Sequence, residues 1–92
     1  MKKIILLFEL LEYHKVFISP RLTPRKLAIA MNTNLKEMEK LVFDNLGISL
    51  KDIISLYRVQ HSRQLLMKGV DFCHIPQFSG FRSMRRFRNC LS

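Results

Sequence analysis

Four arginines, Arg82, Arg85, Arg86 and Arg88, fall within the last eleven residues of the chain, with no acid among them. A guanidinium can donate two parallel hydrogen bonds to guanine O6 and N7, a contact worth about 1–3 kcal/mol of discrimination between bases. The same group can neutralise a phosphate, which positions a protein on a duplex and carries no sequence information. It can also simply stay solvated. Helical spacing puts Arg85, Arg88 and Asn89 on an outward face, opposite Met84, Phe87 and Leu91. Earlier in the chain, Lys36, Glu39 and Lys40 share an outward face with Phe43, while Met38, Leu41, Val42 and Asn45 point inward. Lysines there suit base or phosphate contacts. Glu39 can accept from cytosine N4 or pair locally with Lys36. Backbone amides near Ser83, where the last helix opens, can hold a phosphate.

Other chemistries find no constellation. Cys73, His74, Cys90 and His61 lack any metal-ligand spacing, and the two cysteines read as reduced, mostly buried thiols of a reducing, cytoplasmic setting. His61 and His74 read as packing or surface residues. There is no glycine-rich phosphate loop, no pair of carboxylates in an apolar setting and no nucleophile beside a base, so neither enzymatic activity nor a cofactor is expected. The formal charge of +9 on 92 residues attracts polyanions, either nucleic acid or an acidic membrane surface. The charge is uneven: residues 1–46 carry 8 basic and 5 acidic side chains, residues 47–92 carry 8 and 2. An apolar share of 48% argues against disorder. The opening apolar run is cut by Glu9 after five residues, too short for a membrane span and without a cleavage site. No small-molecule effector site is visible.

The elements that must position the cationic faces are helices. A first helix runs to about Phe17, and residues 18–22 form a loop with Ser19-Pro20. Thr23-Pro24 is a strong helix start, a hydroxyl cap followed by proline in the first turn. This short helix turns Leu27, Ala28 and Met31 inward and ends at Asn32-Thr33-Asn34. Asn34, with Glu37 three residues on, caps a helix from Leu35 to about Leu46. The longest element lies in 47–69. Ser49 and Asp52 form its start, Leu50, Ile53, Ile54, Tyr57, His61 and Leu65 repeat along its apolar face, and Lys68-Gly69 closes it. At 1.5 Å per residue, about 19 residues make a rod of roughly 28 Å. A short helical stretch over 70–78, anchored by Ile75, a turn at Ser79-Gly80-Phe81 and the final helix then repeat the earlier theme. Leu27-Ala28, Met38 and Val42 correspond to Ile75-Pro76, Phe87 and Leu91.

These residues carry a resemblance. Residues 22–28 (Leu-Thr-Pro-Arg-Lys-Leu-Ala), Thr33-Asn34 and Met38 come first. Residues 47–53 (Gly-Ile-Ser-Leu-Lys-Asp-Ile), Arg58 and Leu65-Leu66 follow, then Ile75, Gly80-Phe81 and Phe87. In this order and spacing the chain resembles, over 22–92, the DNA-binding module of AraC/XylS-type bacterial transcription regulators. The resemblance implies an all-α fold in which two helix-turn-helix units form a homeodomain-like pair joined by a long central linker helix. The units would be 1–46 and 70–92, and the linker 47–69. It implies double-stranded DNA as partner, with RNA polymerase as a further one, and no membrane. The two recognition helices would enter adjacent major-groove segments, which lie about 34 Å apart along B-DNA. By position, Lys36, Glu39 and Lys40 would face the first segment, and Met84, Arg85, Arg86 and Asn89 the second. Arg85 and Asn89 satisfy both the family positions and the helical wheel. Arg58, mid-rod, is expected to have a structural pairing role.

The chain departs from the family at named places. Pro76 stands where alanine is favoured and would cost about 3 kcal/mol inside a helix, so the short helix is expected to begin later or kink. Val42 and Leu91 replace an aromatic at both repeats. The family usually continues into one more helix where this chain stops, which makes a small or truncated regulator the expectation. Two other readings compete. One is a protein-interaction module with only non-specific DNA binding. The other is a basic amphipathic protein on an anionic membrane, which an all-round distribution of apolar residues disfavours.

Overall fold

The structure, a computed structural model, describes residues 2–91, the side chains of Lys2 and Leu91 excepted. Among them are six α-helices and no strand: α1 (Lys2–Glu12), α2 (Pro24–Ala30), α3 (Leu35–Leu46), α4 (Leu50–Met67), α5 (Ile75–Phe78) and α6 (Met84–Leu91). Short 3₁₀ turns occupy Val16–Ile18 and Phe72–His74. The Cα radius of gyration is 13.4 Å, within extents of 38 × 23 × 22 Å. No described helix is long and apolar enough to cross a membrane.

Short polar side chains start four of these helices, with Ser83 Oγ accepting from the Arg86 amide at α6. Thr23 Oγ1 accepts from the Lys26 amide at 3.1 Å, Asn34 Oδ1 from the Glu37 amide at 2.9 Å, and Ser49 Oγ from the Asp52 amide at 3.1 Å. Each satisfies one of the amides that a helix start leaves without an internal partner. Thr33 adds a hydroxyl bond to the Glu37 carboxylate at 2.9 Å. Gly47 ends α3 at φ 71°, donating its amide to the Phe43 carbonyl at 2.8 Å. The 18 residues of α4 make a rod of about 27 Å.

Four expectations need correction. The first helix stops at Glu12, short of Phe17, and Lys15 takes a left-handed φ of 50°. A straight continuation would set Phe17 about 120° off the face of Ile4, Leu7 and Leu11. The reversal at Lys15 lets Phe17 bury against α4 instead, 5.8 Å from the Tyr57 ring and edge-on to His61 at 5.6 Å. The stretch 70–78 is helical only in pieces, and α5 begins at Ile75, which places Pro76 in the first turn where a missing amide costs nothing. Asn45 is exposed, its amide turned back onto the Leu41 carbonyl at 2.8 Å. Cys73 and Cys90 are both free and exposed: the Phe72–His74 turn buries none of its residues, and Cys90 lies beside the stripe that Phe87 buries.

The buried side chains fall into two clusters that α4 serves in turn. Leu50, Ile53 and Ile54 join Leu7, Leu11, Phe17, Leu27, Met38 and Val42. Further along, Val59 and Leu65 pack against Ile75, Phe81 and Phe87. A fully buried side chain of this size contributes about 1.5–3 kcal/mol. Leu27, Ala28 and Met38 are buried, and so are their counterparts Ile75, Pro76 and Phe87. Val42 is buried too; the side chain of its counterpart Leu91 lies outside the described ones, as does Ser92.

Polar bonds tie the clusters together. Arg58 donates through Nε to the Phe17 carbonyl at 2.8 Å and through Nη2 to the Ser19 carbonyl at 2.9 Å. Arg82 Nε reaches the Pro20 carbonyl at 3.1 Å. Tyr57 donates to Glu12 Oε1 at 2.9 Å, and its pKa is pushed up to about 12 by burial and by that carboxylate. His61 is half-buried behind Phe17, and its buried Nδ1 meets no hydrogen-bond partner. Burial lowers its pKa, as do the charges of Lys15 and Lys68, while a backbone hydrogen bond at Phe78 acts the other way. Glu12 lines the same recess. The unfolded imidazole therefore holds its proton more readily than the folded one. Stability from neutral His61 is complete above the ordinary histidine pKa of about 6.5 and is lost as pH falls through the lower folded value. Melting temperatures from pH 7.5 to 5 should fall less steeply for His61→Gln than for the wild type. Parallel curves would assign the acid sensitivity to other groups.

Candidate nucleic-acid interface

The two outward faces read from the sequence are built by different means. On α3, buried Met38 and Val42 fix the rotation of the helix, so Lys36 and Lys40 stand exposed and Glu39 half-buried on the far side. Lys40 shares a shallow recess with Lys3, Glu37 and Asp44, which partly meets its charge before any anion arrives. Phe43, on the same face, is 63% exposed. On α6, fully buried Phe87 plays the orienting part, set between Phe72 and Phe81 with both ring centroids 5.3 Å away. Arg85, Arg86, Arg88 and Asn89 are exposed in consequence. Met84 is half-buried and packs against the second cluster, which leaves less of it to meet a ligand than its neighbours offer.

Ser83 is exposed ahead of α6, and its hydroxyl accepts from the Arg86 amide at 3.2 Å. One amide at this helix start is thus already satisfied from within. The carbonyl of Ser83 takes the Phe87 amide at 3.2 Å, so the residue caps the helix in geometry.

The structure brings Arg85, Arg86 and Asn89 to one wall of a groove of about 570 Å³. Thr23 and Pro24, at the start of α2, stand in the same lining, and Lys51, Ser55 and Arg58 come from α4. Lys51 was not singled out from the sequence, and Arg82 was read only as part of the arginine cluster of the last eleven residues, with no place in a groove. Their positions are set by a fold that gathers segments some 30 residues apart in the chain, and local spacing holds no sign of that. The pKa of Arg58 is lowered by burial; Cys90 acts to raise it and Arg82 to lower it. Among the described residues, no group of three or more His, Cys, Asp or Glu side chains is placed to hold a metal ion.

No family model, curated protein or solved structure matches this chain. What the molecule does must therefore be argued from its own surfaces. Two amphipathic helices, α3 and α6, are both packed on the same rod α4. The outer face of α6 is cationic and free of acids, while α3 presents Lys36 and Lys40 among Glu37, Glu39 and Asp44, so its charge is mixed. Exposed lysines and arginines can donate to base edges and phosphate oxygens.

Proposed function

We propose that the protein is a sequence-specific double-stranded DNA-binding transcription regulator of the AraC/XylS type. In this reading α2–α3 and α5–α6 are two helix-turn-helix units, α4 is their linker, and α3 and α6 read adjacent major-groove segments. The observation that carries the reading is a pair of helices that expose basic side chains, Lys36 and Lys40 on α3 and Arg85 and Arg86 on α6, both packed on a rod of about 27 Å. That length is comparable with the roughly 34 Å between successive turns of a duplex. The matched burial of Leu27, Ala28 and Met38 with Ile75, Pro76 and Phe87 supports a repeated unit. Arg85 and Asn89 are assigned to base edges, Lys36, Lys40 and Arg88 to phosphates or bases, and RNA polymerase is the further partner this reading entails.

Selection of binding sites from randomised duplexes tests it. One sequence should be enriched, and log K should fall with log salt at about −0.9 per phosphate contacted. Arg85→Ala should relax the preference at one base position, with about 1–3 kcal/mol of discrimination lost there. Arg88→Ala or Lys40→Ala should weaken all sites about equally. An unchanged ranking of sites after Arg85→Ala would remove that residue from base readout.

The 63% exposed ring of Phe43, on the very face that would enter the first groove, favours a second reading as a protein-interaction module. Salt separates the two. An interaction module that binds DNA only non-specifically shows the salt slope without sequence preference, and one that binds little DNA shows neither.

A further inference from the structure

Lys51 and Arg82 stand around one space with Arg58, Arg85 and Arg86, and none of the residues lining that space is acidic. Five cations about a single opening repel one another, and a cluster of this sort gains by taking up an anion. Burial is the main cause that lowers the Arg58 pKa, with Cys90 acting to raise it and Arg82 adding a smaller lowering effect. Two hydrogen-bond donors of Arg58 are already committed to the Phe17 and Ser19 carbonyls, which holds it in place at the rear of the groove. Arg82 likewise donates through Nε to the Pro20 carbonyl, an exposed bond that leaves its other nitrogens for a ligand. Planar guanidinium forks match phosphoryl oxygens, and Lys51 adds a compact point charge from α4. Pro24, Ile54 and Phe81 give the lining an apolar portion that would exclude water from such contacts. The volume of about 570 Å³ lies within the usual range of small-ligand sites.

We infer that this groove binds phosphate oxyanions, with Lys51 and Arg82 as ligands that neither outward helix face supplies. Two sources share that chemistry. One is the sugar–phosphate backbone of a duplex passing the α6 face, in which case the inference rests on the DNA-binding reading. The other is a free polyphosphate.

Lys51→Gln tests the site, because Lys51 is exposed on α4 and its loss leaves the core untouched. Lys68→Gln, about 25 Å away at the other end of the same helix, is the control. Both variants and the wild type are titrated with inorganic tripolyphosphate by calorimetry, and with a labelled duplex across a salt series. Lys51→Gln should lower tripolyphosphate affinity about three- to tenfold, or shrink the duplex salt slope by about 0.9, with an unchanged melting temperature. A change in the duplex arm assigns the groove to the backbone. A change in the tripolyphosphate arm alone assigns it to a free polyphosphate. If Lys51→Gln behaves as Lys68→Gln in both arms, or the wild type takes up neither ligand, the inference is wrong. A wild type that binds tripolyphosphate and no duplex would sink the DNA reading while the first arm still decides the groove.

Discussion

Gly80→Ala is expected to destabilise the protein by about 3 kcal/mol, a large share of what a domain of this size commands. Gly80 has φ +88°, a conformation that L side chains rarely adopt, and a Cβ there would overlap the Phe17 carbonyl oxygen and sit 2.8 Å from Arg58 Nε. The backbone of Phe17 cannot retreat freely, because its own ring is buried among α1 and α4 and its carbonyl holds Arg58. Conformational cost and overpacking therefore add. Gly47 supplies the control: its φ is +71°, but a Cβ there meets nothing within 4 Å. Gly47→Ala should cost only the left-handed backbone term, about 1–2 kcal/mol. Thermal melts of the two variants should differ by roughly 10 °C, with Gly80→Ala the lower. Equal melting temperatures would mean that the two clusters do not approach at Gly80 as closely as the structure has them.

That contact also marks where reading from the sequence ran out. Helix starts were legible because the signal is local: Thr23, Asn34 and Ser49 each bond an amide three residues on, and no distant segment enters. The all-helical class and the inward sets Met38/Val42 and Ile75/Phe87 were legible from period alone. The end of α1 was not. Phe17 continues an apolar pattern that looks helical, and only the pocket it enters beside Tyr57 and His61 explains the reversal at Lys15. Pro76 was read as making the helix over 70–78 begin late or kink, and α5 does begin late, at Ile75, with proline in its first turn after a turn through Phe72–His74. Ser62, fully buried and bonded to the Arg58 carbonyl at 2.8 Å, carried no signal at all, since a serine mid-helix looks like solvent. The groove was the largest omission. Its lining comes from three stretches, two of them carrying the cations, and their meeting depends on Phe17, Arg58 and Gly80 together.

Arg58→Met should test that meeting directly. Methionine keeps an unbranched apolar stem and removes the guanidinium, so the Phe17 carbonyl loses that donor, while the Ser19 carbonyl keeps the Leu22 amide. A hydrogen bond to a charged group contributes about 1.5–3 kcal/mol, but the Ser19 bond is exposed and water replaces it readily. The part-buried bond to Phe17 carries most of the effect, and the expected loss is about 2–3 kcal/mol by denaturant unfolding. Arg58→Lys should recover less than half, because one ammonium cannot follow the fork that spans two carbonyls. The combination with Gly80→Ala is the sharper measurement. Both changes act on the Phe17 carbonyl, one by removing its donor and the other by crowding it, so their costs should fall short of adding by 1 kcal/mol or so. Full additivity would place the two effects at separate sites. If duplex binding is also followed, Arg58→Met should weaken the selected sequence more than random DNA. Readers held at a fixed spacing lose register when their junction loosens, whereas contacts to phosphates tolerate it.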